Sequence, residues 1–299
     1  MDDHLLQSAA LQHIEQKEYK AKTKIISFIG TTPNIGTTLA ALRHAYHIAL
    51  QTSCKVGYIC LNFKSSKLHR YFGLQHLDIT LDELLPDLRQ QNIHAYAYER
   101  TMYQPSNKVN MHILFGNRQR ELAEYYTEDE IYYLIQMAKG HFDYLILDAS
   151  AYWDNAGSFC SLQLADQIIV VTTDALSHFQ EDMQKWFGAM SAYIQISIPN
   201  CSLLVIRQPY NYRSFSLQDI KAETNMMTIG EISFPSTIGP YLDRGALLEW
   251  MLQTSEGKEW CSSISQGLIT PIHLKSKQNR QGDERNIWPW AKKAKQAIQ

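Results

Sequence analysis

Short runs of apolar residues recur along the chain, and several are continuous rather than alternating with polar residues. Tyr144–Leu147 and Ile168–Val171 are two such runs. Strands that are buried on both faces of a parallel sheet have this pattern, because helices cover each face of the sheet. The runs predict seven strands, over residues 24–29, 55–61, 110–115, 143–147, 167–172, 202–207 and 228–232.

Segments with apolar residues at helical spacing lie between these strands. They predict helices over residues 37–51, 128–139, 178–194 and 217–223, and a further helix over residues 1–20. Strands that alternate with helices are typical of an α/β fold with a doubly wound, mostly parallel sheet flanked by helices. We therefore expect one α/β domain over residues 21–272.

Charge is divided unevenly along the chain, which carries 28 basic and 30 acidic residues and a net charge of −2. Residues 275–299 contain seven basic and two acidic residues, so the remainder of the chain is acidic. We expect a basic tail over residues 273–299 on an acidic domain. An acidic domain argues against a nucleic-acid-binding protein, and DNA is not an expected partner.

The tail contains a short segment, Ile287–Ile298, whose apolar residues share one arc of a helical wheel and are flanked by lysines. This pattern is typical of a helix that lies in a membrane interface. A solvated basic tail, or a tail docked on its own domain or on a protein partner, has the same composition. Both interpretations stand at this point.

The cysteines and the N-terminus indicate a compartment. Five cysteines without a C-x-x-C pair fit a reducing environment better than a disulfide framework or a zinc site. The first residues lack the pattern of a secretory signal, and no apolar stretch approaches the roughly 18 residues of a membrane-spanning helix. We expect a cytoplasmic protein. If the tail lies in a membrane interface, the contact is peripheral, at the inner face of the cell membrane.

The first predicted strand leads into a turn with glycines, and the helix that follows begins with two threonines. The turn and the helix start have the sequence Gly30-Thr-Thr-Pro-Asn-Ile-Gly36-Thr37-Thr38. Backbone N–H groups at such a helix start form the positive end that an anion needs. The phosphate-binding pattern is G-x-x-x-x-G-K-[ST], and the lysine is missing here. A phosphate-binding loop and a simple tight turn are therefore both consistent with this segment.

Motifs along the chain resemble, in the same order, those of the ParA/MinD family of ATPases, whose deviant Walker loop is G-K-G-G-V-G-K-T-T. Residues 57–62 resemble the family's second strand, 142–148 its Walker B strand, 165–173 its strand A-D-x-V-L-V-V-T-T, and 229–235 the strand that leads to the purine-side loop. The resemblance extends over residues 24–250, and includes the TadZ/CpaE subgroup that positions pilus machinery. It implies an α/β fold of the P-loop NTPase type.

The resemblance also implies a site for ATP or ADP with Mg²⁺. Thr37 and Asp148 match positions that serve the metal, and Asp148 and Asn62 match catalytic positions. Nucleotide-binding positions are matched by the whole loop and by two residues on the purine side, namely Gly30, Thr31, Thr32, Pro33, Asn34, Ile35, Gly36, Thr37, Thr38, Arg207 and Pro235. A homodimer is implied as well. Tyr152 and Trp153 would then face the partner subunit, or else pack under a loop.

Charged groups that the family uses for hydrolysis are absent from the matching positions. Gly36 replaces the loop lysine, and Thr31 replaces the signature lysine that reaches across the dimer. Cys60 and Asn62 replace the carboxylates of the second strand, and Ile206 replaces the asparagine that recognises adenine. Because such charges stabilise the transition state, we expect little or no hydrolysis.

The resulting prediction is a dimeric spatial organiser or scaffold. It would be a pseudo-ATPase that recruits an unidentified protein complex, such as a pilus or secretion apparatus. The alternative is an active ATP-hydrolysing protein of the ParA/MinD type, for partitioning or membrane-linked positioning. The alternative predicts Mg²⁺-dependent turnover that Asp148→Ala removes.

Overall fold

Seven parallel strands form a single sheet in the computed structural model, which describes residues 23–64, 66–77, 80–93, 102–194, 200–207 and 215–263. All seven predicted strands are confirmed, and no end differs from its prediction by more than one residue. The strands are β1 (Lys24–Gly30), β2 (Val56–Cys60), β3 (Met111–Leu114), β4 (Tyr144–Asp148), β5 (Gln167–Thr173), β6 (Cys201–Arg207) and β7 (Thr228–Ser233).

The strand order is β3-β2-β4-β1-β5-β6-β7, which confirms the doubly wound α/β fold. β1 lies between β4 and β5, with Phe28 opposite Asp148 and Gly30 opposite Val171. The chain passes from β1 to one half of the sheet and later to the other half. In such sheets, ligands bind where the strand order reverses, beyond the carboxyl ends of the strands.

Ten α-helices connect and cover the described strands, and the helices Thr37–Gln51 and Glu128–Lys139 have the predicted ends. The predicted helix over 178–194 is a π-helical turn, Ser177–Asp182, followed by an α-helix, and the helix predicted over 217–223 ends one residue later. The helices are α1 (Thr37–Gln51), α2 (Leu68–Tyr71), α3 (Leu81–Arg89), α4 (Glu128–Lys139), α5 (Ala156–Leu164), α6 (Met183–Ile194), α7 (Leu217–Thr224), α8 (Ile238–Asp243), α9 (Leu247–Gln253) and α10 (Ser255–Ser262).

Each face of the sheet has its own apolar core. On one face, Phe28 of β1 packs with α1, and with Trp250 of α9 and Trp260 of α10. On the other face, α3 and α4 cover β2 and β4, while α5, α6 and α7 cover β5 and β6. Because both faces are covered, every residue of β2, β4, β5 and β6 is buried.

The last described helix is fixed to the first one by polar contacts. Arg43 of α1 donates through Nε to the carbonyl of Trp260 (2.6 Å), and its Nη2 contacts the carbonyl of Ser263. His47 Nδ1 lies 3.0 Å from the carbonyl of Cys261. These contacts satisfy carbonyls that the end of α10 leaves free, so α10 is held against α1.

The predicted N-terminal helix over 1–20 and the basic tail over 273–299, with its segment Ile287–Ile298, lie outside the described residues. Among the helices that are described, none combines the length and the apolar character that a membrane crossing requires.

Candidate functional site

The loop between β1 and α1 is anchored on both sides by the sheet. The amide of Gly30 donates to the carbonyl of Ser150 after β4 (2.6 Å), and the amide of Thr31 donates to the carbonyl of Val171 on β5 (2.9 Å). α1 then begins at Thr37 with no acidic residue in its first turn and no side-chain cap on its free N–H groups. The N-terminus of α1 therefore keeps the donors and the partial positive charge that favour an anion.

The first half of the loop directs its side chains into the protein. Thr31 is 1% exposed, and its hydroxyl donates to that of Thr172 at 3.1 Å. The hydroxyl of Thr32 donates to Asp182 at 2.5 Å, beside the π-helical turn. The position that the resemblance assigns to the signature lysine is therefore occupied by a buried hydroxyl, which cannot extend to another subunit.

Gly36 has a backbone conformation that requires glycine. Its φ is +103°, and a Cβ at this position would lie 2.4 Å from Cε2 of Phe234 and 3.2 Å from Cδ1 of Ile206. A lysine at position 36 would therefore need both a strained backbone and a displaced Phe234 ring. Counted from Gly30 in the pattern G-x-x-x-x-G-K-[ST], the lysine falls on position 36, so these contacts leave no room for it, and Thr37 follows at the Ser/Thr position.

Asp148, at the end of β4, is fully buried and surrounded by hydrogen-bond donors. The Tyr58 hydroxyl donates to it at 2.9 Å, the amide of Ser150 donates at 3.1 Å, and the thiol of Cys60 lies at 3.7 Å. The side chain of Thr38 also hydrogen-bonds to this carboxyl group. Asp148 thus contacts the loop through Thr38, while Thr37 lies one residue earlier on the cavity wall.

Burial controls the titration of this cluster. Desolvation raises the pKa of Asp148 above its ordinary value, and the hydrogen bonds from Thr38, Ser150 and Tyr58 oppose that rise. Desolvation also raises the pKa of Cys60 to about 12 and that of Tyr58 well above its usual range. Tyr58 and Cys60 therefore remain neutral hydrogen-bond donors at neutral pH, and Cys60 lacks thiolate character.

A cavity of about 470 Å³ opens at the carboxyl ends of the strands, over the start of α1. The loop segment 34–38 and hydroxyl groups form one side of it, and apolar side chains form the other. Among the described residues that line it, none is an aspartate or a glutamate. The polar side includes Asn34, Thr37, Thr38, Asn62, Ser66 and Ser150, and the apolar side includes Leu68, Ile206, Phe234, Pro235, Ile238 and Leu242.

Most of the residues predicted for the site meet at this cavity. Asn62, Pro235 and Arg207 line it together with residues 34–38 of the loop. The predicted residues that are not part of its lining are Gly30, Thr31, Thr32, Pro33 and Asp148. The guanidinium of Arg207 is already engaged, because it lies 2.9 Å from Glu231 and 3.2 Å from Asp174. Arg207 therefore contributes to the wall with its charge balanced by two carboxylates.

Sequence reasoning missed Lys67, which follows β2 and lines the cavity. Its residue type and its position after the carboxyl end of a parallel strand were the available signal. Phe234 was missed as well, although it directly precedes the predicted Pro235.

Of the two aromatic residues predicted near a partner subunit, Trp153 packs inside the protein. Trp153 is 1% exposed, and its indole N–H donates to the carbonyl of Gly30 at 2.9 Å. Trp153 thus packs under the loop between β1 and α1, which is the second of the two alternatives given in the sequence analysis. Tyr152 is half-buried, and the ammonium of Lys64 lies 5.2 Å from its ring centre.

Comparisons with known proteins relate the chain to others through its fold. No family model and no curated protein sequence matches it. A ParA family ATPase from Chlorobium tepidum is similar, with a TM-score of 0.68 and 14% identity over 80% of this chain and 97% of that one. The septum site-determining protein MinD of Pyrococcus horikoshii, complexed with Mg-ADP, has a TM-score of 0.60 and 17% identity over 80% and 93% of the two chains.

A putative plasmid partition protein from Borrelia burgdorferi, bound to AMPPNP, is also similar, with a TM-score of 0.62 and 16% identity over 80% of this chain and 96% of that one. At these identities the similarity establishes the fold. The chain has the α/β fold of P-loop NTPases. Within that class, its structural neighbours are ATPases of the ParA/MinD family.

Proposed function

We propose that the chain binds ATP or ADP in the cavity over α1. The observation that carries this proposal is a cavity that is lined by the start of α1, with its free N–H groups, and by no carboxylate among the described residues. Phosphate groups would lie against the loop, where the helix N-terminus attracts negative charge. The nucleoside would lie against the apolar side, which includes Phe234 and Pro235.

The residues near Asp148 fit a bound Mg²⁺. Mg²⁺ with nucleotide usually keeps several waters and takes few protein ligands, and hydroxyl oxygens suit it. Thr38 hydrogen-bonds to Asp148, so the buried carboxyl group orients a hydroxyl at the phosphate side. We therefore assign the metal-side hydroxyl to Thr38, with Thr37 beside it and Asp148 acting through Thr38.

Hydrolysis is proposed to be very slow or absent. The cations and carboxylates implied for catalysis are replaced by Thr31, Gly36, Cys60 and Asn62, and Thr31 and Cys60 are buried in internal hydrogen bonds. Removing one preorganised group of this kind typically costs about 3 kcal/mol of transition-state stabilisation, which is roughly a hundredfold in rate. Asn62 is neutral, and so cannot act as a general base for water.

In this proposal the bound nucleotide supports a dimeric scaffold. Structural neighbours include a MinC:MinD cell division complex from Aquifex aeolicus and plasmid partition proteins from Borrelia burgdorferi. We propose a homodimer that organises a protein complex, as in the TadZ/CpaE-type resemblance to pilus-positioning proteins. The segment Ile287–Ile298 would add weak membrane contact, strengthened by the two copies in a dimer.

Calorimetric titration of the purified full chain with ADP and ATP, each with Mg²⁺, tests this proposal, and light scattering gives the mass in solution. We expect binding by the wild-type protein and no turnover above background. Gly239→Leu places a side chain on the cavity wall, where a Cβ meets no atom within 4 Å, and should weaken binding. Gly188→Leu, at an equally open position in α6, is the matched control.

Three results would count against parts of this proposal. Absence of binding at millimolar nucleotide would refute the nucleotide site. Turnover that requires Mg²⁺ and disappears in Asp148→Ala would establish the active ATPase instead. A monomeric mass with and without nucleotide would refute the dimeric scaffold.

A further inference from the structure

Two cationic residues of the described part of the chain line the cavity, and they differ in their surroundings. Arg207 is held by Asp174 and Glu231, and it also donates to the carbonyl of Phe215 at 2.9 Å. Lys67 is exposed, and no carboxylate of the described residues lies within ion-pair distance of its ammonium group. Lys67 is therefore the cavity-lining cation whose charge is not balanced by a described protein group.

Lys64, three residues earlier on the same segment, shows the contrasting arrangement. Its ammonium lies 3.1 Å from Asp154 and 3.8 Å from Glu124, and it also faces the ring of Tyr152. Lys64 is thus fully engaged in contacts with the protein surface. Lys64 therefore lies among carboxylates, whereas Lys67, on the same short segment, lies on the wall of a cavity with no carboxylate among its described lining residues.

A nucleotide in this cavity would need a cation from outside the loop. The loop supplies backbone donors and hydroxyl groups, but residues 30–38 contain no charged side chain. Di- and triphosphates carry several negative charges, and P-loop proteins balance them with a lysine in the loop. The steric contacts at Gly36 exclude that lysine from position 36.

We propose that Lys67 supplies this charge, neutralising the terminal phosphate groups of the bound nucleotide from a part of the cavity wall outside the loop. This inference rests on the nucleotide site proposed above. The long flexible stem of lysine allows its ammonium group to reach an oxygen across a cavity, and an ammonium group has three donors. Lys67 would be a binding residue that replaces the loop lysine from a different segment of the fold.

Calorimetric titration of wild-type protein, Lys67→Ala, Lys67→Arg and Lys64→Ala with ADP, AMP and adenosine, in the presence of Mg²⁺, tests the inference. A charge-assisted contact corresponds to a loss of about 10- to 100-fold in affinity when it is removed. We expect that loss for ADP in Lys67→Ala, a smaller loss for AMP, and no change for adenosine. Lys67→Arg should retain most of the affinity, and Lys64→Ala should bind ADP as the wild type does.

The outcomes separate this inference from the proposed site. If wild-type protein binds ADP and Lys67→Ala binds it equally well, the role of Lys67 is refuted while the nucleotide site stands. If Lys67→Ala weakens ADP and adenosine to the same extent, the residue shapes the cavity and does not neutralise phosphate. If wild-type protein binds none of the three compounds, the nucleotide site and the role of Lys67 are both wrong.

Discussion

Replacing Gly36 with alanine tests the geometry of the loop directly. The φ of Gly36 is +103°, and its missing Cβ is the space that the Phe234 ring occupies. A side chain at this position adds two separate penalties, one from the backbone and one from packing. The two can be distinguished because only the second depends on Phe234.

The magnitude follows from both penalties. A left-handed backbone conformation in a non-glycine residue costs roughly 1–2 kcal/mol. Contacts of 2.4 Å and 2.9 Å with ring atoms of Phe234 force the ring to move, and overpacking of this kind costs about 1–3 kcal/mol. We therefore expect Gly36→Ala to lower the free energy of unfolding by about 2–5 kcal/mol.

Urea unfolding monitored by circular dichroism measures this change, provided that the slopes of the transitions match. A double-mutant cycle with Phe234→Ala should recover the packing part, giving a coupling energy of about 1–3 kcal/mol. Gly188→Ala is the control of opposite sign. Gly188 lies within α6 and a Cβ there meets no atom within 4 Å, so alanine should stabilise the protein by about 0.5–1 kcal/mol.

The reasoning would be refuted by a Gly36→Ala protein that unfolds within about 0.5 kcal/mol of the wild type, the range of an ordinary surface substitution. A large loss of stability without coupling to Phe234 would retain the strained backbone but reject the contact with the ring. In the first case the backbone at Gly36 would have to differ from the one described, and a lysine could be accommodated there, whereas in the second case only the position of the Phe234 ring would differ.

Three further predictions concern buried polar groups. Desolvation lowers the pKa of His44 to about 3, so the folded protein resists a proton that the unfolded chain accepts near its ordinary pKa of about 6.5. The contribution of neutral His44 to the free energy of unfolding is therefore present above pH 6.5 and is lost as the pH falls. In parallel urea titrations, His44→Phe should remove about 2 kcal/mol of the stability loss between pH 7 and pH 5. Equal acid sensitivity of the two proteins would contradict this. Tyr58→Phe removes a buried donor to Asp148 and should lower the free energy of unfolding by about 1.5–3 kcal/mol in thermal or urea unfolding. An unchanged midpoint would show that the Asp148 carboxyl group does not depend on this hydrogen bond. Arg43→Met keeps much of the side-chain volume but removes the donors to the carbonyls at the end of α10. We expect the free energy of unfolding to fall by about 1–3 kcal/mol and amide exchange in α10 to become faster. Unaltered exchange would show that Arg43 does not hold α10 against α1.

The continuous apolar runs were sufficient to predict the sheet. β4 and β5 are buried on both faces, and their uninterrupted apolar residues identified them without any knowledge of their neighbours. α1 and α4 were also predicted to the residue, since each has a wide apolar stripe. These features depend on local sequence, so they could be obtained from it.

Helices without such a stripe were missed. Six of the nine residues of α5 are buried, including Gly157 and Ser158 in its first turn. The helix therefore has no polar face that would give a periodic pattern. α3 contains Pro86, which disfavours a helix in sequence reasoning, although a capping box formed by Thr80 and Glu83 stabilises its start.

The site was predicted as a set of positions but not as a set of contacts. The resemblance of the motifs grouped the loop with Asn62 and Pro235, and residues 34–38 of the loop line the cavity with both of them. It could not show that Thr31 is turned inward or that Arg207 is balanced by two carboxylates, because both depend on residues far away in the sequence. Lys67 was missed for the same reason, since its importance depends on which cations have no partner.

The packing of Trp260 has a consequence for observing the site. Its ring centre lies 5.9 Å from that of Phe234, which lines the cavity, and the guanidinium of Arg43 lies 5.1 Å from it. A ligand that shifts Phe234 changes the surroundings of this indole, and with them its fluorescence. The protein therefore contains an optical reporter of cavity occupancy next to Ser263, where the described chain ends, and Trp260→Phe identifies the signal without any added label.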